Sequence, residues 1–198
     1  MNRTARIVSA TFAVAALTGL TACGSDADTT TRTPTSIQVR PVVPATAASF
    51  TVTADAAGSF PADAYAGAFG CTAANHAPHL TWSGAPAAAK SFAVTMFDPD
   101  APTGAGFWHW MSWDIPSTAM DFTAGTPGVA GATDAGTAGY LGPCPPAGDT
   151  AHHYRISVLA LDTPTMGLPA TTTPTVASFS MGAHIIGVAH LELTAQRP

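Results

Sequence analysis

Residues 97–116, FDPDAPTGAGFWHWMSWDIP, join two apolar runs of strand character, 91–97 before the break and 108–115 after it. The break itself is Asp98-Pro99-Asp100-Ala101-Pro102. Proline cannot donate to a sheet ladder, and aspartate accepts backbone N–H groups in turns, so a strand must end here. Working outward, short apolar runs recur at 80–82, 154–161 and 188–194, and Phe50-Thr51-Val52-Thr53 alternates with a period of two. Gly (18) and Pro (17) punctuate the spaces between them. Short strands with turn chemistry on both sides predict a mainly β, antiparallel domain. Pro41 and Pro44 suit an edge or irregular strand.

Helix signals are few. Residues 173–189 are the best candidate, with Pro174 near a first turn and Val176, Phe179, Ala183 and Ile186 as its apolar positions. Residues 121–139 are rich in Gly, Ala and Thr and read as a long loop. No repeat occurs at solenoid or propeller periods.

The N-terminus reads as a targeting segment. Arg3 and Arg6 precede an apolar run, 7–20, that is too short for a good membrane span. The run ends in Leu20-Thr21-Ala22-Cys23, which resembles the lipobox of bacterial lipoproteins. That resemblance implies a signal peptide over 1–22, a lipidated Cys23, a polar tether to residue 36 and a β domain over 37–198. An ordinary cleaved signal with Cys at this point is the plainer alternative. The location implied is the extracytoplasmic face of the cell membrane, with acyl chains as the anchor.

Charge narrows the partners. The formal net charge is −5, and it becomes more negative once Arg3 and Arg6 are set aside. No basic run occurs, so nucleic acid is not an expected partner. A homodimer or a protein partner stays open. With Cys23 removed, Cys71 and Cys144 are left, in a compartment where disulfides persist. They read as a bridged pair or as two free thiols.

Chemistry-bearing residues gather around the opening run. Asp98 and Asp100 stand at its break, His109 lies between two tryptophans, and His152 heads a later strand. Carboxylates and imidazoles from separate strands can hold a ligand or a proton. The seven histidines form no HExxH pattern and the cysteines no CxxC, so neither a metal nor another cofactor is expected. No GxSxG elbow occurs, and residue types without a nucleophile or metal specify no reaction. Binding, not catalysis, is expected. In residues 139–162 Pro145 and Pro146 stiffen a loop, and Gly142 and Gly148 would let backbone approach a ligand closely.

Two long stretches, LTWSGAPAAAKSFAVTMFDPDAPTGAGFWHWMSWDIP over 80–116 and GYLGPCPPAGDTAHHYRISVLALD over 139–162, resemble the phosphatidylethanolamine-binding protein family, in its bacterial Raf-kinase-inhibitor-like branch. The resemblance runs from about residue 50 onward. It implies a large antiparallel sheet packed on a smaller one, a few short helices, and a pocket for a small anion such as a phospholipid head group. The positions it implies are Asp98, Asp100, His109, Tyr140, Gly142, Cys144, Pro145 and His152, with carboxylates charging the imidazoles and with ring N–H groups and loop amides binding the anion. The second reading implied is an interaction module that inhibits a protease or another enzyme. Three departures stand out. His153 replaces the arginine of the usual His-Arg-Tyr, Asp114 stands where many relatives carry Asn, and Cys144 lies in the pocket loop, where a bridge to Cys71 would stiffen it.

Overall fold

The computed structural model describes residues 41–124 and 127–197. The expectations for the export signal, Cys23 and the tether fall outside the described residues. In chain order the elements are β1 (Ala48–Ser49), β2 (Thr51–Ala54), a single 3-10 turn (Ala62–Ala64), β3 (Leu80–Ser83), β4 (Ser91–Asp98), β5 (Phe107–Pro116), β6 (Asp121–Phe122), β7 (Val129–Ala130), β8 (His152–Leu161), α1 (Pro174–Gly182) and β9 (Ile185–Ala195). Six strands form a large sheet in the order β1-β9-β8-β4-β5-β7, and three form a small one, β2-β3-β6. All pairings are antiparallel except that of the short edge strand β1 with β9.

β4 lies in the middle of the large sheet, and all of it but Phe97 is buried, because both of its faces are covered. Phe92, Val94 and Met96 point to one side and pack with Leu80, Trp82 and Phe122 of the small sheet. Ala93 points to the other side, where Met111, Trp113, Leu159 and Leu161 meet Ala177 and Met181 of α1. Period-two alternation thus feeds two hydrophobic layers from one strand.

β5 is broken twice by bulges. Opposite β4, Met96 pairs with Trp110 and Phe97 with Trp108, so His109 is the extra residue. The bulge resets the alternation: Trp108 packs on the α1 side, while Trp110 joins the layer toward the small sheet. The second bulge, between the pairs Phe92↔Ile115 and Val94↔Ser112, contains Asp114 at φ 56. Asp tolerates this left-handed backbone better than most residues with a Cβ. Its carboxylate accepts from Thr165 Oγ1 at 2.8 Å and Met166 N at 2.7 Å, pinning the turn after β8. Asp114, the third carboxylate of the opening run, is therefore structural and lies away from Asp98 and Asp100.

The helix is shorter than the sequence suggests and turned to a different face. It ends at Gly182, and residues from Ile185 onward pair with β8 along its whole length. A short apolar run reads equally as strand or helix, and tertiary pairing decides. Pro174, Ala177 and Met181 are the buried positions, while Val176 is 52% and Phe179 83% exposed. The expected loop over 121–139 contains β6 and β7, each two residues long. Pro41 and Pro44 precede the first strand.

Candidate functional site

A cavity of about 380 Å³ opens beside the end of β4. Of the residues expected there, Asp98, His109, Cys144, Pro145 and His152 line it. The walls also include Phe69, Phe107, Pro146, Tyr154 and Arg197.

The bulge in β5 brings His109 to this wall, 7% exposed. Its Nδ1 lies 3.1 Å from the carbonyl of Leu141. A carbonyl only accepts, so Nδ1 carries the proton and the neutral ring has an unprotonated Nε2. Burial holds the imidazole below the ordinary histidine range, although the Leu141 carbonyl and Asp98 work the other way. Its ring stands edge-on to Tyr154, 5.2 Å between centroids.

His152 behaves differently. Nδ1 donates to Asp98 Oδ2 at 2.8 Å, with both side chains 3% exposed, and Nε2 lies 3.4 Å from Asp149 Oδ2. Burial disfavours the charged ring, but the hydrogen bond and charge of Asp98, then those of Asp149, outweigh it and raise the pKa. Both ring nitrogens of His152 thus face protein carboxylates, and the protonated ring can donate to both. Asp98 is held in turn, since its Oδ1 accepts the Asp100 N–H at 2.8 Å. Of the two imidazoles expected to be paired with carboxylates, His152 bonds to one and His109 bonds to a carbonyl instead.

Three expected residues do not line the cavity. Asp100 accepts from both N and Nδ1 of His153 at 2.8 Å, which lowers its own pKa and raises that of His153. His153 is therefore spent on an exposed pair. Tyr140 donates its hydroxyl to the Ala64 carbonyl at 2.9 Å, and its pKa is raised by burial. Gly142 does make a close approach, though to protein: a Cβ there would fall 2.1 Å from Ala64 O and 2.7 Å from Ala66 N. Its N–H donates to Asn75 Oδ1 at 2.7 Å, and Asn75 Nδ2 returns a bond to Tyr140 O at 3.1 Å. Loop amides are consequently scarce, because Pro143, Pro145 and Pro146 have none. Gly148, at φ 80 with open space around it, serves a turn.

Cys71 and Cys144 form a disulfide. It ties the wall loop to the turn holding Phe69, whose φ of 56 is unusual for a bulky residue and whose ring is 62% exposed beside Phe107. The sequence reading missed Asn75, Phe69 and Arg197. Asn75 and Phe69 sit in irregular chain with no pattern to mark them, and Arg197 lies far along the chain from every motif.

The family model described as phosphatidylethanolamine-binding protein matches residues 51–196. The chain belongs to the phosphatidylethanolamine-binding protein family. It is 42% identical over 133 residues to YbcL of Escherichia coli, covering 62% of this chain and 73% of that one. It is 38% identical over 126 residues to the putative lipoprotein LppC of Mycobacterium tuberculosis, covering 62% of this chain and 61% of that one. The crystal structure of Escherichia coli YbcL superposes with a TM-score of 0.71 at 35% identity, over 75% of this chain and 99% of that one. The homologue CT736 of Chlamydia trachomatis gives 0.64 at 28% identity, over 77% and 99%.

Proposed function

We propose that this domain binds a small phosphate-bearing ligand, of the kind presented by a phospholipid head group, and does so on the outer face of a membrane to which Cys23 anchors it. The observation that carries the reading is the cavity beside β4: a buried imidazole, His109, stands in a wall otherwise built largely of Phe69, Phe107, Pro145 and Pro146, in a chain of the phosphatidylethanolamine-binding family. Polar recognition at one spot and apolar walls around it suit a phosphate ester with a carbon substituent. The role is binding without turnover. Cys144 is committed to its disulfide, and the Thr103 hydroxyl to the Gly106 carbonyl at 2.6 Å.

Isothermal titration with glycerophosphoethanolamine tests the reading. Saturable binding is expected, and it should tighten as pH falls. In the neutral ring Nδ1–H belongs to Leu141 and Nε2 is a lone pair, so His109 must take up a proton before it can donate to an anion. Measured in buffers of different protonation enthalpy, the heat should therefore differ. The absence of saturable binding at any pH would remove the reading.

The anchor is supported by the lipobox and by the name of the LppC relative. Among the described residues no helix is long and apolar enough to cross a membrane. Cys23→Ala is expected to move the protein from the membrane fraction to the soluble fraction, or to leave the precursor uncleaved. A fully processed Cys23→Ala protein still in the membrane pellet would contradict the anchor.

A further inference from the structure

Asp98 and Asp149 both lie against His152, which spends its ring nitrogens on protein carboxylates. His109 has its N–H on Leu141. Gly142 gives its amide to Asn75, and the neighbouring prolines have none. Two carboxylates, Asp98 and Asp149, thus stand against imidazoles whose charge depends on pH, and an anion here calls for a positive charge that does not.

Arg197 supplies that cation. It follows β9 and lines the cavity, and the Gly148 N–H bonds to its backbone carbonyl at 3.0 Å. Its Nε is buried without a hydrogen-bond partner, and no carboxylate stands within ion-pair distance of it among the described residues. Its Nη1 lies 3.9 Å from Cys71 Sγ and would lie 3.0 Å from a Cβ at residue 70, so the disulfide turn forms the surface on which the guanidinium rests. A buried N–H left unpaired is costly, and a charged one more so. A guanidinium offers donors in a flat fork that fits two oxygens of one anion.

We propose that Arg197 is the residue that grips the ligand's anionic group, reaching the cavity from the far end of the chain. The inference rests on the anion reading above and narrows it. A guanidinium keeps its charge where an imidazole loses it, and the apolar walls leave room for a carbon substituent. The ligand class is a phosphate ester bearing an organic group, in preference to free phosphate.

The test is titration of the disulfide-intact domain and its Arg197→Gln and Arg197→Lys variants with glycerophosphoethanolamine and with inorganic phosphate, alongside thermal melts. Arg197→Gln should melt as wild type does and bind glycerophosphoethanolamine about tenfold or more weakly, the loss expected for a hydrogen-bonded charge. Arg197→Lys keeps the charge but loses the fork, and should fall between the two. Wild type should prefer the ester to inorganic phosphate. An Arg197→Gln affinity indistinguishable from wild type would overturn the role of Arg197 and leave the anion reading standing. Equal affinity for both probes would overturn the ligand class. A wild-type protein that binds neither probe would overturn the anion reading itself. If Arg197→Gln does not fold, Arg197→Lys decides: unchanged affinity in that variant overturns the fork.

Discussion

The Cys71→Ser, Cys144→Ser double variant is expected to be less stable than wild type by about 4 kcal/mol, lowering its melting temperature by about 10 °C. The size follows from the loop that the bond closes, since the two cysteines are 73 residues apart. Between them lie β3, β4, β5, β6 and β7, so the link limits the unfolded chain over much of the domain. Locally the bond joins the turn carrying Phe69 to the Cys144-Pro145-Pro146 wall and lies beneath the guanidinium of Arg197. Ligand affinity should therefore fall along with stability. Equal melting temperatures for the oxidised protein and the double variant, or two titratable thiols in the native unreduced protein, would refute this.

His152→Ala is expected to cost about 3–5 kcal/mol, the range for removing one partner of a buried pair. The variant leaves Asp98 buried without its imidazole partner, with the Asp100 N–H and the Tyr154 hydroxyl as its remaining donors. Urea unfolding measured across pH supplies a signature that a simple packing defect would lack. The folded pKa of His152 is raised, so its contribution is full below the ordinary histidine value of about 6.5 and is lost as pH rises through the raised value. The wild-type curve should fall across that window, and the His152→Ala curve should be flatter there. His109 acts with the opposite sign. Its folded pKa is lowered, so its contribution is full above about 6.5 and is lost as pH falls through the lowered value. Parallel wild-type and His152→Ala curves above neutrality would show that the Asp98–His152 pair is not the linked group.

What could be read along the chain was whatever leaves a local mark. The alternation of Phe50 to Thr53, the apolar run of β4 and the Asp98-Pro99 break at its end marked a β domain, because side-chain period and turn chemistry are properties of neighbouring residues. The face of α1 was misread, because Val176 and Phe179 are as apolar as Met181 and only the contact with the large sheet selects Ala177 and Met181 for burial. The two bulges of β5 were invisible too. Nothing in Trp108-His109-Trp110 says that the tryptophans face opposite sides, since that depends on how β5 pairs with β4.

By itself the sequence determined the β class, the family, Cys71 and Cys144 as the cysteines left beside Cys23, and Asp98, His109 and His152 as candidate residues. Each is set by residue type, order or spacing. Tertiary structure alone decided how those groups share protons and charge. It gave Asp98 and Asp149 to His152, the Leu141 carbonyl to His109 and Asp100 to the exposed His153. It moved Tyr140 and Gly142 out of the wall and brought in Phe69 and Arg197. The physical reason is that protonation and charge balance depend on distances of a few ångströms between segments tens of residues apart, and chain folding alone sets those distances.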